Sequence, residues 1–178
     1  MLRLFVAIDL PEPVRQGLAA LAGGIPGAAW EPAENLHLTL RFIGNVGEVE
    51  ATAMHEELER IRAGAFAFDI AGVDVFGTGE KVRTLWAGVA PAPPLRELRD
   101  RVDAALRRAG AEPEKRRYVP HVTLARLNHA SPERLGAFLS AKALVRFRVE
   151  VDRFALFSSW QGRGGSSYRI EAEYPLTP

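Results

Sequence analysis

The chain has 178 residues, with 23 Lys+Arg against 22 Asp+Glu, 47% hydrophobic residues and no cysteine. That length suits one compact domain or two fused lobes with a real core, and the missing cysteine excludes disulfides, a thiolate nucleophile and Cys-rich zinc sites. A formal charge of +1 excludes a protein that grips nucleic acid mainly by bulk charge.

Arg3 to Leu10 reads as a buried strand closed by Pro11. This run holds Asp9 and is too short for a signal segment, and no stretch approaches a membrane span. The expected setting is therefore cytoplasmic. Pro13 to Ala22 has helical spacing, with Val14, Leu18 and Leu21 on one face, and Gly23-Gly24 ends it. Asn35 to Gly44 alternates as a strand, Val49 to Ala63 is an amphipathic helix, and Phe66 to Phe76 alternates again.

The same order then recurs. Thr84 to Val89 is a strand, Leu95 to Ala109 a helix with arginines outward, and Tyr118 to Leu127 a second His-bearing strand. Ser131-Pro132-Glu133 opens a helix that runs to about Ala141, and Val145 to Phe157 reads as one long strand. Glycines 162, 164 and 165 mark a flexible loop. From Pro11 to Pro91 the offset is 80 residues and from His37 to His121 it is 84, so motif, order and spacing repeat together. The fold expected is α+β: one bilobal domain over 1–178, repeating roughly as 1–83 and 84–178. Each lobe is a mainly antiparallel sheet with helices outside, and the two are related by a pseudo-twofold across a groove.

The repeated strands carry His37-Leu-Thr39-Leu and His121-Val-Thr123-Leu. Side chains two apart on a strand share a face, so each strand presents an imidazole beside a hydroxyl while Leu38, Leu40, Val122 and Leu124 point inward. One His-x-Thr is the ordinary polar face of a half-buried strand; two at equivalent places point to paired chemistry. A metal site is the weaker reading, because two histidines without a carboxylate in either motif leave a divalent ion under-coordinated. Without metal, a neutral imidazole takes a proton from a nucleophile and a protonated one delivers a proton to a leaving oxygen. The hydroxyls hydrogen-bond the non-bridging oxygens of a phosphoryl centre. In-line displacement places acid and base on opposite sides of phosphorus, which a groove between two equivalent strands provides.

These residues resemble the two-histidine (2H) phosphoesterase superfamily, marked by paired HxT/S motifs in duplicated lobes. Within it the sequence is similar to bacterial and archaeal RNA 2′,3′-cyclic phosphodiesterases, also called 2′-5′ RNA ligases. The likeness includes RLFVAIDLP, Trp30-Glu31-Pro32 before HLTLRFIGNV, VRTLWAGV at 82–89, PHVTLAR at 120–126 and FALFSS…YRIEAEYPL. Ser158 to Gly165 departs from the usual Gly-Pro-x-Tyr ending, though Tyr168 is present. The resemblance implies metal-independent hydrolysis of RNA 2′,3′-cyclic phosphate ends to 2′-phosphates, with His37 as proton donor and His121 as acceptor. From the residues alone those roles are interchangeable. It also implies a reverse-type reaction that joins RNA through a 2′-5′ bond. The alternatives are a phosphodiesterase for another small cyclic nucleotide and a non-catalytic module that binds RNA ends.

Substrate contacts are sought beyond the motifs. Arg41, four residues after His37, shares its face by strict alternation and is a phosphate candidate. Arg126, five after His121, falls on the opposite face and reaches the groove only if the strand bulges; the family pattern favours it as a ligand contact. Phe42 is placed as a base-stacking or core residue, and Tyr168 as a substrate contact. Arg96, Arg99, Arg107 and Arg108 are expected on a solvated helix face, and His55 and His129 as bystanders. Residues 1–89 carry 7 basic and 12 acidic groups (net −5), and residues 90–178 carry 16 and 10 (net +6). RNA binding is therefore expected to lean on the second lobe, through Lys115-Arg116-Arg117. The expected partners are RNA ends with 2′,3′-cyclic phosphates or nucleotides, with no cofactor, no membrane and no obligate protein partner, the chain being a monomer.

Overall fold

In a computed structural model, which describes residues 1–178, strands and helices alternate as the hydrophobic spacing dictates. In order they are β1 (Leu2–Asp9), α1 (Glu12–Ala19), β2 (Ala29–Trp30), β3 (His37–Val46), α2 (Glu48–Glu59), β4 (Phe66–Phe76) and β5 (Thr84–Val89). There follow α3 (Pro93–Arg108), β6 (His121–Arg126), α4 (Pro132–Ala141), β7 (Arg146–Val151), β8 (Arg153–Gly162) and β9 (Gly165–Pro175). The fold is α+β, as expected. Helix α4 starts where Ser131 Oγ accepts from the Arg134 amide and Pro132 occupies the first turn. No helix is long and apolar enough to cross a membrane.

The strands form two antiparallel sheets, one ordered β3-β1-β8-β9 and the other β2-β6-β5-β4-β7. Each sheet borrows from the other half of the sequence. Strand β4, from the first half, pairs with β5; strand β8, from the second, pairs with β1. The two repeats therefore cross over, and the sheets are not the sequence halves. The acidic and basic halves are also stitched together by ion pairs. Arg108 meets Glu57 at 2.6 Å and Arg146 meets Asp69 at 2.6 Å, so a small part of the second half's positive charge is paired with the first half's carboxylates.

Two expected elements are corrected. Val145 to Phe157 is not one strand: it breaks at Asp152, with β7 on the edge of one sheet and β8 inside the other. Asp152-Arg153 interrupts the alternation and Phe154 to Phe157 are continuously buried, which marks the break, but which sheet each side joins depends on distant partners. The glycine-rich stretch, expected as a flexible loop, narrows to the two-residue turn Arg163-Gly164. Gly162 pairs with Gly165 at the end of a β8–β9 hairpin, and Gly165 takes a φ of +111° that a side chain would strain.

A core cluster of 34 buried residues lies beneath both sheets and includes the inward-facing Leu38, Leu40, Val122 and Leu124. Helix α3 contributes Leu95, Leu98, Val102 and Leu106 to it. These motif leucines and valine hold each strand so that the residues between them face out.

Candidate active site

The imidazole and hydroxyl pairs of the two motifs meet in one groove of about 370 Å³ between the sheets, lined by His37, Thr39, His121 and Thr123. Both strands anchor their histidine alike. His37 Nδ1 lies 2.7 Å from the Asn35 carbonyl, and His121 Nδ1 lies 2.7 Å from the Val119 carbonyl. A carbonyl only accepts, so each Nδ1 carries the hydrogen and, in the neutral ring, each Nε2 is left as the unprotonated nitrogen. Aromatic rings fix the imidazole planes. Phe5 and Tyr168 pack on His37 at 4.9 and 5.0 Å, and Phe76 and Trp86 pack on His121 at 5.0 and 5.7 Å between centroids.

Burial pushes both histidines below the ordinary imidazole value. For His37 the Asn35 carbonyl opposes this and the neighbouring His121 adds to it; for His121 the Val119 carbonyl opposes it and Arg126 adds to it. Tyr118, just before β6, donates its hydroxyl to the Thr39 carbonyl at 2.9 Å and so ties the second motif's approach to the first motif strand.

A bulge directly after each motif decides what else enters the groove. In the β1–β3 ladder Val6 faces Arg41 and Ala7 faces Thr39, which leaves Leu40 without a partner. In the β5–β6 ladder Leu85 faces Ala125 and Trp86 faces Thr123, which leaves Leu124 without one. An extra residue reverses the alternation beyond it. Arg126 therefore returns to the groove, as the bulge condition required. Arg41 does the opposite, and the face assigned to it by alternation is corrected. It is 7% exposed, and its guanidinium donates to Asp103 at 2.7 Å and to the Phe42 and Glu112 carbonyls. With its donors engaged inside the protein, it braces β3 against α3. Phe42 takes the place in β3 that Arg126 holds in β6, and it lies on the groove wall rather than in the core.

The remaining groove residues come from elsewhere in the chain. Arg3 on β1 reaches in and places its guanidinium 5.2 Å from the Phe42 ring centroid. Ser159 and Tyr168 come from the β8–β9 hairpin, and the Ser159 hydroxyl is buried with no hydrogen-bond partner. Alternation along RLFVAID flags Arg3; nothing local flags Ser159, which depends on the hairpin. Of the basic triplet, Arg116 borders the groove but is bound to Glu114 through both Nε and Nη2 at 3.2 Å. That contact holds the Glu114 carboxyl down at about 2. Arg99 does not lie on a solvated face: its side chain is 15% exposed and stacks on Tyr118 at 5.1 Å. His55 bonds to the Tyr174 hydroxyl and His129 occupies a turn, both away from the groove. No group of three or more His, Asp or Glu side chains is arranged to hold a metal ion.

Residues 10–163 match the family model described as the 2′-5′ RNA ligase superfamily. The chain belongs to this superfamily. Among similar proteins, one of Escherichia coli (strain K12) named RNA 2′,3′-cyclic phosphodiesterase is 31% identical over 98% of this chain and 97% of its own. A Thermotoga maritima protein of the same name is 30% identical over 95% of this chain and 92% of its own. An Aeropyrum pernix one is 42% identical over a shorter match, 60% of this chain and 61% of that protein. Among solved structures, E. coli LigT complexed with 3′-AMP aligns with a TM-score of 0.76 at 27% identity, covering 99% of both chains. The superfamily match thus runs through both His-x-Thr motifs and both bulges.

Proposed function

We propose that the chain hydrolyses 2′,3′-cyclic phosphodiester ends of RNA to 2′-phosphomonoesters by paired histidine catalysis. The carrying observation is that both Nδ1 atoms are pinned to backbone carbonyls two residues upstream, which leaves two Nε2 atoms beside two threonine hydroxyls in one groove. The names of the relatives and the nucleotide complex of LigT support the substrate class.

In this reading water attacks phosphorus in line with O3′. His121 Nε2 takes the water proton, His37 Nε2–H gives its proton to O3′, and the P–O3′ bond breaks while P–O2′ stays. Each transfer accounts for about 10²–10⁴-fold. Thr39, Thr123 and Arg126 hold the non-bridging oxygens as charge builds on them. Burial keeps His37 neutral in the empty groove; the arriving phosphate anion favours its protonation, so substrate binding arms the acid. Phe42 and Tyr168 offer faces to the nucleoside. With an RNA 5′-hydroxyl in place of water, the same two transfers form a 2′-5′ bond.

The test is turnover of a 2′,3′-cyclic nucleotide in excess EDTA with product identification. A 2′-phosphate formed at an undiminished rate is expected. A 3′-phosphate would overturn the assignment of the leaving oxygen, and loss of activity on chelation would overturn the metal-free route. Binding without turnover would leave the chain an RNA-end binding module.

A further inference from the structure

A second cavity of about 340 Å³ opens beside the groove and shares with it Thr39, Phe42, Arg116 and His121, but neither His37 nor Thr123. That volume lies in the range of about 300–1,000 Å³ usual for small-molecule sites. It belongs to one end of the catalytic pair, the His121 end.

Its walls are aromatic and basic. Phe42 and Phe76 are each 40% exposed, and Val119 is 38% exposed. Arg117 is exposed at its mouth. Glu114 contributes a carboxylate, but Arg116 engages both of its oxygens. Arg99 forms part of the wall, and its Nε is buried without a hydrogen-bond partner while Nη1 reaches Asp100 at 3.3 Å. A buried, unpartnered guanidinium N–H is a costly group to leave unmatched, and a ligand oxygen or base nitrogen supplies the missing acceptor. Open aromatic faces beside arginines suit a nucleobase with a phosphate.

In-line geometry says which nucleoside. The ribose of the cyclic phosphate carries the leaving O3′ and lies on the His37 side, and the nucleophile arrives from the His121 side. We infer that the second cavity is the acceptor subsite, holding the first nucleoside of an RNA strand whose free 5′-hydroxyl displaces water. The inference rests on the roles given above to His37 and His121. The step balances: O5′ bonds to phosphorus, its proton goes to His121 Nε2, the P–O3′ bond breaks, and His37 Nε2–H protonates O3′. The product is a 2′-5′ phosphodiester with a free 3′-hydroxyl.

The experiment gives the full chain 2′,3′-cyclic AMP together with a 5′-hydroxyl diadenosine dinucleotide and measures the ratio of joined to hydrolysed product. Joined product is expected from the 5′-hydroxyl dinucleotide and none from its 5′-phosphorylated form. Arg117→Glu and Arg99→Met should each lower the ratio by about tenfold, the loss expected for one charge-assisted contact. Arg117→Glu should leave hydrolysis without acceptor within about twofold. No joined product at millimolar dinucleotide, or a ratio indifferent to both variants, would overturn the subsite while hydrolysis itself still stands. If the wild-type protein failed to hydrolyse the cyclic nucleotide, the catalytic reading beneath it would fall instead. One further arm compares cyclic-ended RNA of increasing length without acceptor. If added upstream nucleotides raise its affinity and Arg117→Glu erases that gain, the cavity holds the substrate strand and the acceptor assignment is overturned.

Discussion

Strands β3 and β6 bulge at the same place, after Leu40 and after Leu124, yet they turn different residues into the groove. The sixth residue of one motif is Phe42 and of the other Arg126; the fifth, turned inward, is Arg41 in one and Ala125 in the other. At the motifs themselves the two sides match: each has an imidazole anchored through Nδ1 and a threonine two residues on. Where the ligand is held, they differ: a ring on one side and a guanidinium on the other. In the proposed reaction the repeated motifs supply a matched acid and base, and the difference two residues beyond the bulge orients the substrate.

The largest effects probe the matched part. His37→Ala and His121→Ala should each lower kcat on a cyclic nucleotide by about 10²–10⁴-fold, measured on folded protein checked by circular dichroism. Unchanged turnover in either variant would end the acid–base reading. Arg41→Met tests the inward position. It strips Asp103 and two carbonyls of their donor and should cost about 3 kcal/mol in urea unfolding, while turnover of the remaining folded protein is kept. Arg126→Met should lower kcat/KM by about 10–100-fold, in line with about 1.5–3 kcal/mol for a hydrogen bond to a charged group. Phe42→Leu should cost less than about tenfold, the scale of one ring contact. Equal losses at Phe42 and Arg126 would erase the proposed asymmetry.

The smallest effects concern pH. Both histidines titrate below their ordinary value of 6.5, so the free protein loses its acid before pH reaches 6.5 and kcat/KM should already be in decline there. The profile of kcat should extend to higher pH, because bound phosphate holds the proton. Stability has the opposite sign. The unfolded chain binds protons first, so the stability of the neutral, buried rings is present above 6.5 and is lost as pH falls through 6.5 toward the folded values. A His37→Gln, His121→Gln double variant should flatten that acid limb in thermal unfolding.

What was legible in the sequence depended on how local it was. His37, Thr39, His121 and Thr123 fall in place because a strand's period of two needs no partner. The fate of Arg41 and Arg126 depends on which residue of a neighbouring strand faces which, and a bulge is a property of the pair. Arg99 sits on a helix face that looks solvated until Tyr118 stacks on it. Strand β9, an edge strand with few buried positions, lacks the continuous apolar run that marks β1 or β5. The break at Asp152 is marked only by the adjacent polar pair Asp152-Arg153, and the change of sheet depends on partners far along the chain.

The exchange of β4 and β8 between sheets makes neither half self-sufficient. A nick in the turn around Gly77 to Lys81 would not release two small proteins, because each fragment would lack a strand inside its own sheet. Such fragments should regain structure only together, with a midpoint that depends on concentration as in an obligate heterodimer. The intact chain closes these pairings across long sequence separations, which favours slow, single-step folding over assembly lobe by lobe. Residues can therefore differ between the two sides of the groove, as Phe42 and Arg126 do, while the exchanged strands keep the chain one inseparable folding unit.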